Sequence, residues 1–185
     1  MPLSNFRFAK LSYLFRLMDL DGDDILSPAD FDEMARRAAE NQDKSTEGEL
    51  HKRLINSSAK RYYKRLIEAL EITGTQIKLS DWLDYFREMD EEDDVEMDSV
   101  IQFFLEFFYG VFDVDKDGFI SLYESMELFQ LFGLPLEKSK TFFKDLDSNA
   151  DGHVSRYELM NAVEVFLTSD DPEERGNWVF GKFDY

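Results

Sequence analysis

The stretch DVDKDGFISLYE, residues 113–124, constrains this chain more than any other. Asp113, Asp115 and Asp117 alternate along it, Gly118 follows, Ile120 comes two residues later and Glu124 closes it. A hard divalent cation such as Ca2+ takes about six to eight oxygen ligands, and this spacing offers them from one tight turn. The three aspartates present carboxylates from one side of the turn, and Gly118 suits the positive φ that the turn needs. Phe119 offers its backbone carbonyl, so its side chain is free to be apolar. Ser121 binds directly or through a water. Glu124, already on the following helix, closes the shell with both oxygens. Ile120 points inward, towards a counterpart in a neighbouring loop. An ordinary acidic turn has no need to fill every one of these positions.

The pattern recurs, so the chain reads as a repeat protein. In DLDGDDILSPAD, residues 19–30, Asp19, Asp21 and Asp23 take the first three ligand positions, Ile25 the carbonyl position, Ser27 the next and Asp30 the last, with Leu26 inward. Two departures matter. Asp24 stands where Gly is expected, and Asp tolerates left-handed geometry better than most residues. Asp30 is one methylene shorter than Glu, so it binds through one oxygen, which favours six-coordination and competition by Mg2+. In DSNADGHVSRYE, residues 147–158, Asp147, Asn149 and Asp151 are side-chain ligands, Gly152 turns, His153 offers its carbonyl, Ser155 follows and Glu158 closes. Having fewer acids, it attracts an ion more weakly than the first loop.

The remaining unit, LEITGTQIKLSD at 70–81, has Leu70, Ile72 and Gly74 at the ligand positions, none with a side-chain oxygen. It keeps Ile77 inward and Asp81 at the end. This is a helix–loop–helix without a metal, whose short strand through Ile77 pairs with the one through Leu26. Three Ca2+ sites with Mg2+ competing are therefore expected.

Helical spacing fills in the rest. Phe8, Leu11, Phe15 and Met18 give one apolar face to a helix over about 4–18, and Phe31, Met34, Ala35 and Ala38 an inner stripe after the first loop. Residues 41–49 read as a connector, followed by a longer helix through Leu54, Tyr62, Leu66, Ile67 and Leu70. Trp82, Phe86 and Met89 face the core. Ile101, Phe104, Leu105, Phe108 and Phe112, with Phe103 and Phe107 on other faces, make a helix that is buried all round. Gly133 and Pro135 break the helix after the third loop. The expected class is all-α, with four helix–loop–helix units in two paired lobes packed into one globule and short β pairing between loops. Residues 1–90 form the first pair, 91–98 an acidic linker, 99–168 the second pair, and 169–185 a tail. Trp178, Val179, Phe180 and Phe183 are too apolar to hang in water, so the tail folds back between the lobes.

Composition bounds the partners. Forty acidic against 21 basic residues give a formal charge of −19. That disfavours nucleic acid and anionic membranes and suits a protein that receives cations. With no cysteine there are no disulfides and no thiolate sites. No signal peptide, membrane span, myristoylation or prenylation pattern is visible, so a cytoplasmic monomer without stable membrane anchoring is expected.

With these residues in view, the whole chain resembles the EF-hand superfamily, and within it the invertebrate sarcoplasmic calcium-binding proteins and calexcitin. The specific marks are the degenerate second loop followed by Asp81-Trp82, Asp30 at the end of the first loop, and the run Ser169-Asp170-Asp171-Pro172 with Gly176-Asn177-Trp178-Val179-Phe180-Gly181. The resemblance implies a compact globule that binds Ca2+ and Mg2+ as a cytosolic buffer. The coelenterazine photoproteins and luciferin-binding proteins are similar in layout. Photoproteins carry a His and then Trp-Tyr in the last helix, where this chain has Val163, Leu167 and Thr168, so the polar groups of that chemistry are missing.

A buffer of three ions is the leading expectation. A sensor that opens an apolar groove to a target protein is an alternative. Sensors use Met-rich grooves, however, and the 7 methionines here are scattered. A carrier of an apolar, luciferin-type ligand is the third reading and needs a real cavity. No enzyme is expected, because the acids sit at metal-cage spacing and no nucleophile–base pair is visible.

Overall fold

The inward apolar residue of each loop becomes a rung of a short ladder. Ile25–Leu26 (β1) pairs antiparallel with Ile77–Lys78 (β2), placing Leu26 opposite Ile77. Phe119–Ser121 (β3) pairs with His153–Ser155 (β4), placing Ile120 opposite Val154. All four of these residues are buried. The ladders join the loops two by two, so the second loop, whose ligand positions lack side-chain oxygens, serves as the backbone partner of the first.

The computed structural model describes residues 3–40, 46–89 and 94–181, with the side chains at 46–52, 56–57 and 94–96 excepted. Helices flank every loop: α1 (Asn5–Met18), α2 (Pro28–Glu40), α3 (Thr46–Ala69), α4 (Leu79–Glu88), α5 (Asp94–Val111), α6 (Leu122–Leu131), α7 (Ser139–Leu146) and α8 (Arg156–Thr168). Single 3-10 turns lie at Leu136–Lys138 and Arg175–Trp178. Local chemistry sets several ends. The Ser4 hydroxyl accepts the Arg7 N–H at 3.0 Å and starts α1. Pro28 opens α2, where its missing N–H costs nothing. After α6, Gly133 adopts φ +66° and turns the chain away.

The fold is all-α with two small antiparallel pairs, as the sequence leads one to expect. Phe31, Met34, Ala35 and Ala38 are buried, and so are the six apolar positions named above on α5 and Phe112 just after it. Trp82 is the largest side chain wholly out of solvent; its indole N–H donates to the Leu11 carbonyl at 3.0 Å and so ties α4 to α1. Three details differ from the sequence reading. Phe8 is 46% exposed and Phe6 packs inside instead, with its ring edge-on to Trp178. Leu54 is 50% exposed, and its neighbour Ile55 turns inward. In both helices apolar residues are dense enough to define more than one stripe, and the neighbouring elements select between them. Third, α5 begins at Asp94, so residues 94–98 of the acidic stretch are helical rather than linker, while 90–93 lie outside the described residues.

The tail is held by packing. The Phe180 ring lies 5.3 Å from Phe104, 5.7 Å from Phe108 and 4.7 Å from Phe166. Gly176 lies so close to α8 that a Cβ there would fall 2.6 Å from Cβ of Val165. Phe183, expected to join this packing, lies outside the described residues. No described helix is long and apolar enough to cross a membrane.

Candidate metal centres

Three of the four loops share one construction. The closing carboxylate reaches back across its loop with both oxygens. In the third loop Glu124 Oε1 accepts the Val114 N–H at 2.8 Å, and Oε2 accepts the Ser121 N–H and hydroxyl, each at 2.8 Å. In the fourth, Glu158 Oε1 accepts the Ser148 N–H at 2.9 Å, and Oε2 accepts the Ser155 N–H at 2.9 Å and its hydroxyl at 2.8 Å. The shorter Asp30 manages the same bridge: Oδ1 takes the Leu20 N–H at 3.0 Å, and Oδ2 takes the Ser27 N–H at 2.8 Å and hydroxyl at 3.0 Å. Each acid is thus pinned between the second and ninth residues of its loop, with its oxygens turned towards the loop interior. Asp81 makes no such bridge. It is exposed, and it accepts the N–H of Lys78 at 3.3 Å.

The aspartates are folded under their own backbone. Asp19 Oδ1 accepts the Gly22 N–H at 2.9 Å and Oδ2 the Asp24 N–H at 2.9 Å. Asp23 accepts the Ile25 N–H at 2.8 Å, and Asp117 accepts the Phe119 N–H at the same distance. Asp19, Asp21 and Asp23 stand together, and likewise Asp113, Asp115 and Asp117, with one carboxylate oxygen of each residue within 4.8 Å of the others in its group. In the fourth loop the Asn149 amide donates to Asp151 at 2.9 Å, so one neutral side chain stands among the acids. Burial raises the Asp19 carboxyl, backbone N–H bonds offset part of that, and the charge of Asp30 adds to the rise. At Glu158 burial also pushes upward, but hydrogen bonds from Ser155, Ser148 and Asn149 outweigh it and hold the carboxyl at about 2. It is therefore an anion at neutral pH.

One atom tests whether these loops fit a cation. Asp113 Oδ1 is buried and has no hydrogen-bond partner. A buried carboxylate oxygen without a partner is costly, and a divalent ion held with Asp115 and Asp117 would supply what it lacks. Ile25, Phe119 and His153 sit at the strand position expected to offer a carbonyl, and the Phe119 and His153 rings lie 5.6 Å apart on the outer side. The serines carry more than the sequence reading gave them. Ser27, Ser121 and Ser155 donate to the closing acid, and Ser121 and Ser155 also accept its N–H, each at 3.3 Å. The spacing Ser-x-x-Glu is a capping-box signature that was available in the sequence.

Backbone strain is distributed differently among the loops. The fourth and sixth residues have positive φ in all three: Gly22 and Asp24, Lys116 and Gly118, Ala150 and Gly152. The first loop has moved its glycine to the fourth place, and Asp24 accepts φ 60° at the sixth. Ala150 sits at φ 58° with no side-chain bond to recompense it. Ala150→Gly is expected to stabilise the protein by about 0.5–1 kcal/mol, read as a rise in the denaturant midpoint at constant slope. The second loop shows a different pattern, with positive φ at Glu71 and Gly74.

Residues 102–164 match the family of EF-hand domain pairs. The luciferin-binding protein of Renilla reniformis is 35% identical over 75 residues, covering 40% of this chain and 41% of that protein. The chain spans about a third to two fifths of the length of the curated relatives it matches. Among solved structures, the Ca-loaded apo form of the coelenterazine-binding protein from Renilla muelleri superposes with a TM-score of 0.74 at 24% identity, over 98% of this chain and 100% of that one. A sarcoplasmic calcium-binding protein from amphioxus superposes with a TM-score of 0.66 at 16% identity, over 98% and 100%. The fold is thus that of these two solved structures, and residues 102–164 match the pair of helix–loop–helix units in its second half.

Proposed function

We propose that this EF-hand protein is a cytosolic Ca2+ buffer that takes three ions, with Mg2+ competing. The observation that carries the reading is the shared bridge of Asp30, Glu124 and Glu158, absent at Asp81, together with the unpartnered Asp113 oxygen. The first ion is held by Asp19, Asp21, Asp23, Asp30, the Ile25 carbonyl and Ser27. The second is held by Asp113, Asp115, Asp117, Glu124, the Phe119 carbonyl and Ser121. The third is held by Asp147, Asn149, Asp151, Glu158, the His153 carbonyl and Ser155. A bound ion supplies positive charge that relieves repulsion among the acids, so binding stabilises the fold. At Asp30 the shorter reach favours a six-coordinate ion, and Mg2+ competes best there.

Packing supports a closed buffer over a sensor. Phe180 covers rings of α5 and α8, so the apolar face that these helices share is filled by the tail. The two enclosed spaces described in the aromatic core hold about 10 Å3 each, near the least that admits one water. A second reading, an apolar-ligand carrier, draws on one observation: a pocket of about 230 Å3 between α6, α7 and the tail, lined by Phe129, Phe142 and Trp178. It is smaller than the ~300–1,000 Å3 of most ligand sites. A hydrophobic dye separates the readings. A buffer gives equally low dye fluorescence in the Ca2+ and Mg2+ forms. A sensor gives a large rise only with Ca2+, and a carrier binds the dye with saturation at one site.

A further inference from the structure

Lys10 is wholly buried, yet no reading of the ion sites uses it. Its ammonium donates to the Ser169 carbonyl at 2.6 Å, to Asn177 Oδ1 at 2.6 Å and to the Val165 carbonyl at 3.3 Å. Three donors meet three acceptors. Two of these are carbonyls at the C-terminal end of α8, where a helix favours a cation. The third belongs to Asn177, itself fully buried, whose amide in turn donates to the Asp171 carbonyl at 2.6 Å. The rings of Phe6 and Phe166 lie 5.0 and 5.5 Å from the same nitrogen. Burial, and then the charge of Arg7, push the Lys10 ammonium down to about 7, while Asp170 and Glu174 pull the other way. Keeping it charged rests on the acceptors around it.

The two helices that meet at this nitrogen lead to different ion loops. α1 runs from Lys10 to the first loop, with the Asp19 N–H bonded to the Phe15 carbonyl at 2.9 Å. α8 carries in its first turn the acid that closes the fourth loop, Glu158, and ends at the carbonyls that Lys10 holds. The two loops belong to different strand pairs, so no ladder joins them. We propose that Lys10 is a positioning residue that couples ion binding in the fourth loop to ion binding in the first, through α8, the docked tail and α1. A tilt of α8 at Glu158 must either carry α1 with it or break the Lys10 bonds, because both helices are stiff over this length. The inference rests on the ion-site reading given above.

The test uses the full chain carrying Glu124→Gln, so that the first and fourth loops are the ones read. The Ca2+ affinity of the first loop is measured calorimetrically with and without Glu158→Gln, in the presence of Lys10 and of Lys10→Met. Methionine preserves much of the packing and removes the charge. With Lys10, silencing the fourth loop is expected to weaken the first by about tenfold, within the usual range for coupled sites. With Lys10→Met the same change is expected to be under about twofold. Equal coupling in both backgrounds, or no coupling with Lys10, overturns the proposal. Should Lys10→Met lose helix content, Asn177→Leu takes its place; it removes one acceptor and must reduce the coupling, and unchanged coupling overturns the idea again. If Glu158→Gln removes no ion, the site assignment itself is wrong and the proposal goes with it.

Discussion

Glu124→Gln removes one bound ion from the protein, Glu158→Gln removes another, and Asp81→Asn removes none. The reason lies in what the closing residue touches. Glu124 is buried, and its two oxygens already accept three hydrogen bonds from Val114 and Ser121. A glutamine can keep an oxygen towards Val114, but its NH2 then meets the N–H of Ser121, donor against donor. The ion loses a full negative charge at the same moment. Removing one partner of a buried charge pair costs ~3–5 kcal/mol, which is about two to four orders of magnitude in affinity. Asp81 is exposed and accepts two long bonds, from the Lys78 N–H and the Ser80 hydroxyl, each at 3.3 Å, so its replacement is expected to change stability by less than ~0.5 kcal/mol. Equilibrium dialysis of each variant at Ca2+ near the wild-type midpoint reads the loss directly. An ion lost with Asp81→Asn would mean that the second loop binds metal after all.

Trp82→Ala is expected to be the most damaging single substitution in the core, lowering stability by ~3–5 kcal/mol. The indole packs edge-on against Phe86 at 4.9 Å and Phe15 at 6.1 Å, and its N–H satisfies the Leu11 carbonyl. Truncation opens a cavity and also leaves that carbonyl with one bond fewer. Because Leu11 and Phe15 lie on α1, the first loop should lose affinity as well, whereas the third and fourth should not. Trp82→Phe fills most of the space but lacks the donor, so it should fall between the two, about 1–3 kcal/mol below the wild type. Denaturant unfolding of the chelated protein separates these values without the ions' contribution.

Much of this was legible because the loops impose their own geometry. A ligand every second residue, a glycine where φ turns positive and an aliphatic residue at the eighth place are local demands. Leu26, Ile77, Ile120 and Val154 were found in that way. The tail residues Val179 and Phe180 were legible for a simpler reason, since they are too apolar to stay in water. What the sequence did not reveal depends on several helices at once. Nothing in the period of α1 marks Lys10 as interior, because its acceptors come from residues more than a hundred and fifty positions away. Phe6 and Phe8 are equally apolar, and only the position of Trp178 decides between them. Asn177 reads as an ordinary loop residue until Lys10 is placed beside it. The first turns of α5 carry enough acid to look like linker, yet Met97 is buried and begins the stripe that continues through Ile101 into its aromatic run.

The central claim is that three loops hold ions and one does not. Calorimetric titration of the chelated wild-type chain with Ca2+ tests it most directly. The account predicts saturation at three ions per chain. Saturation at four would place a metal in the loop of Leu70, Ile72 and Gly74, and saturation at two would mean that the bridge made by Asp30 does not close a binding site; either result contradicts it.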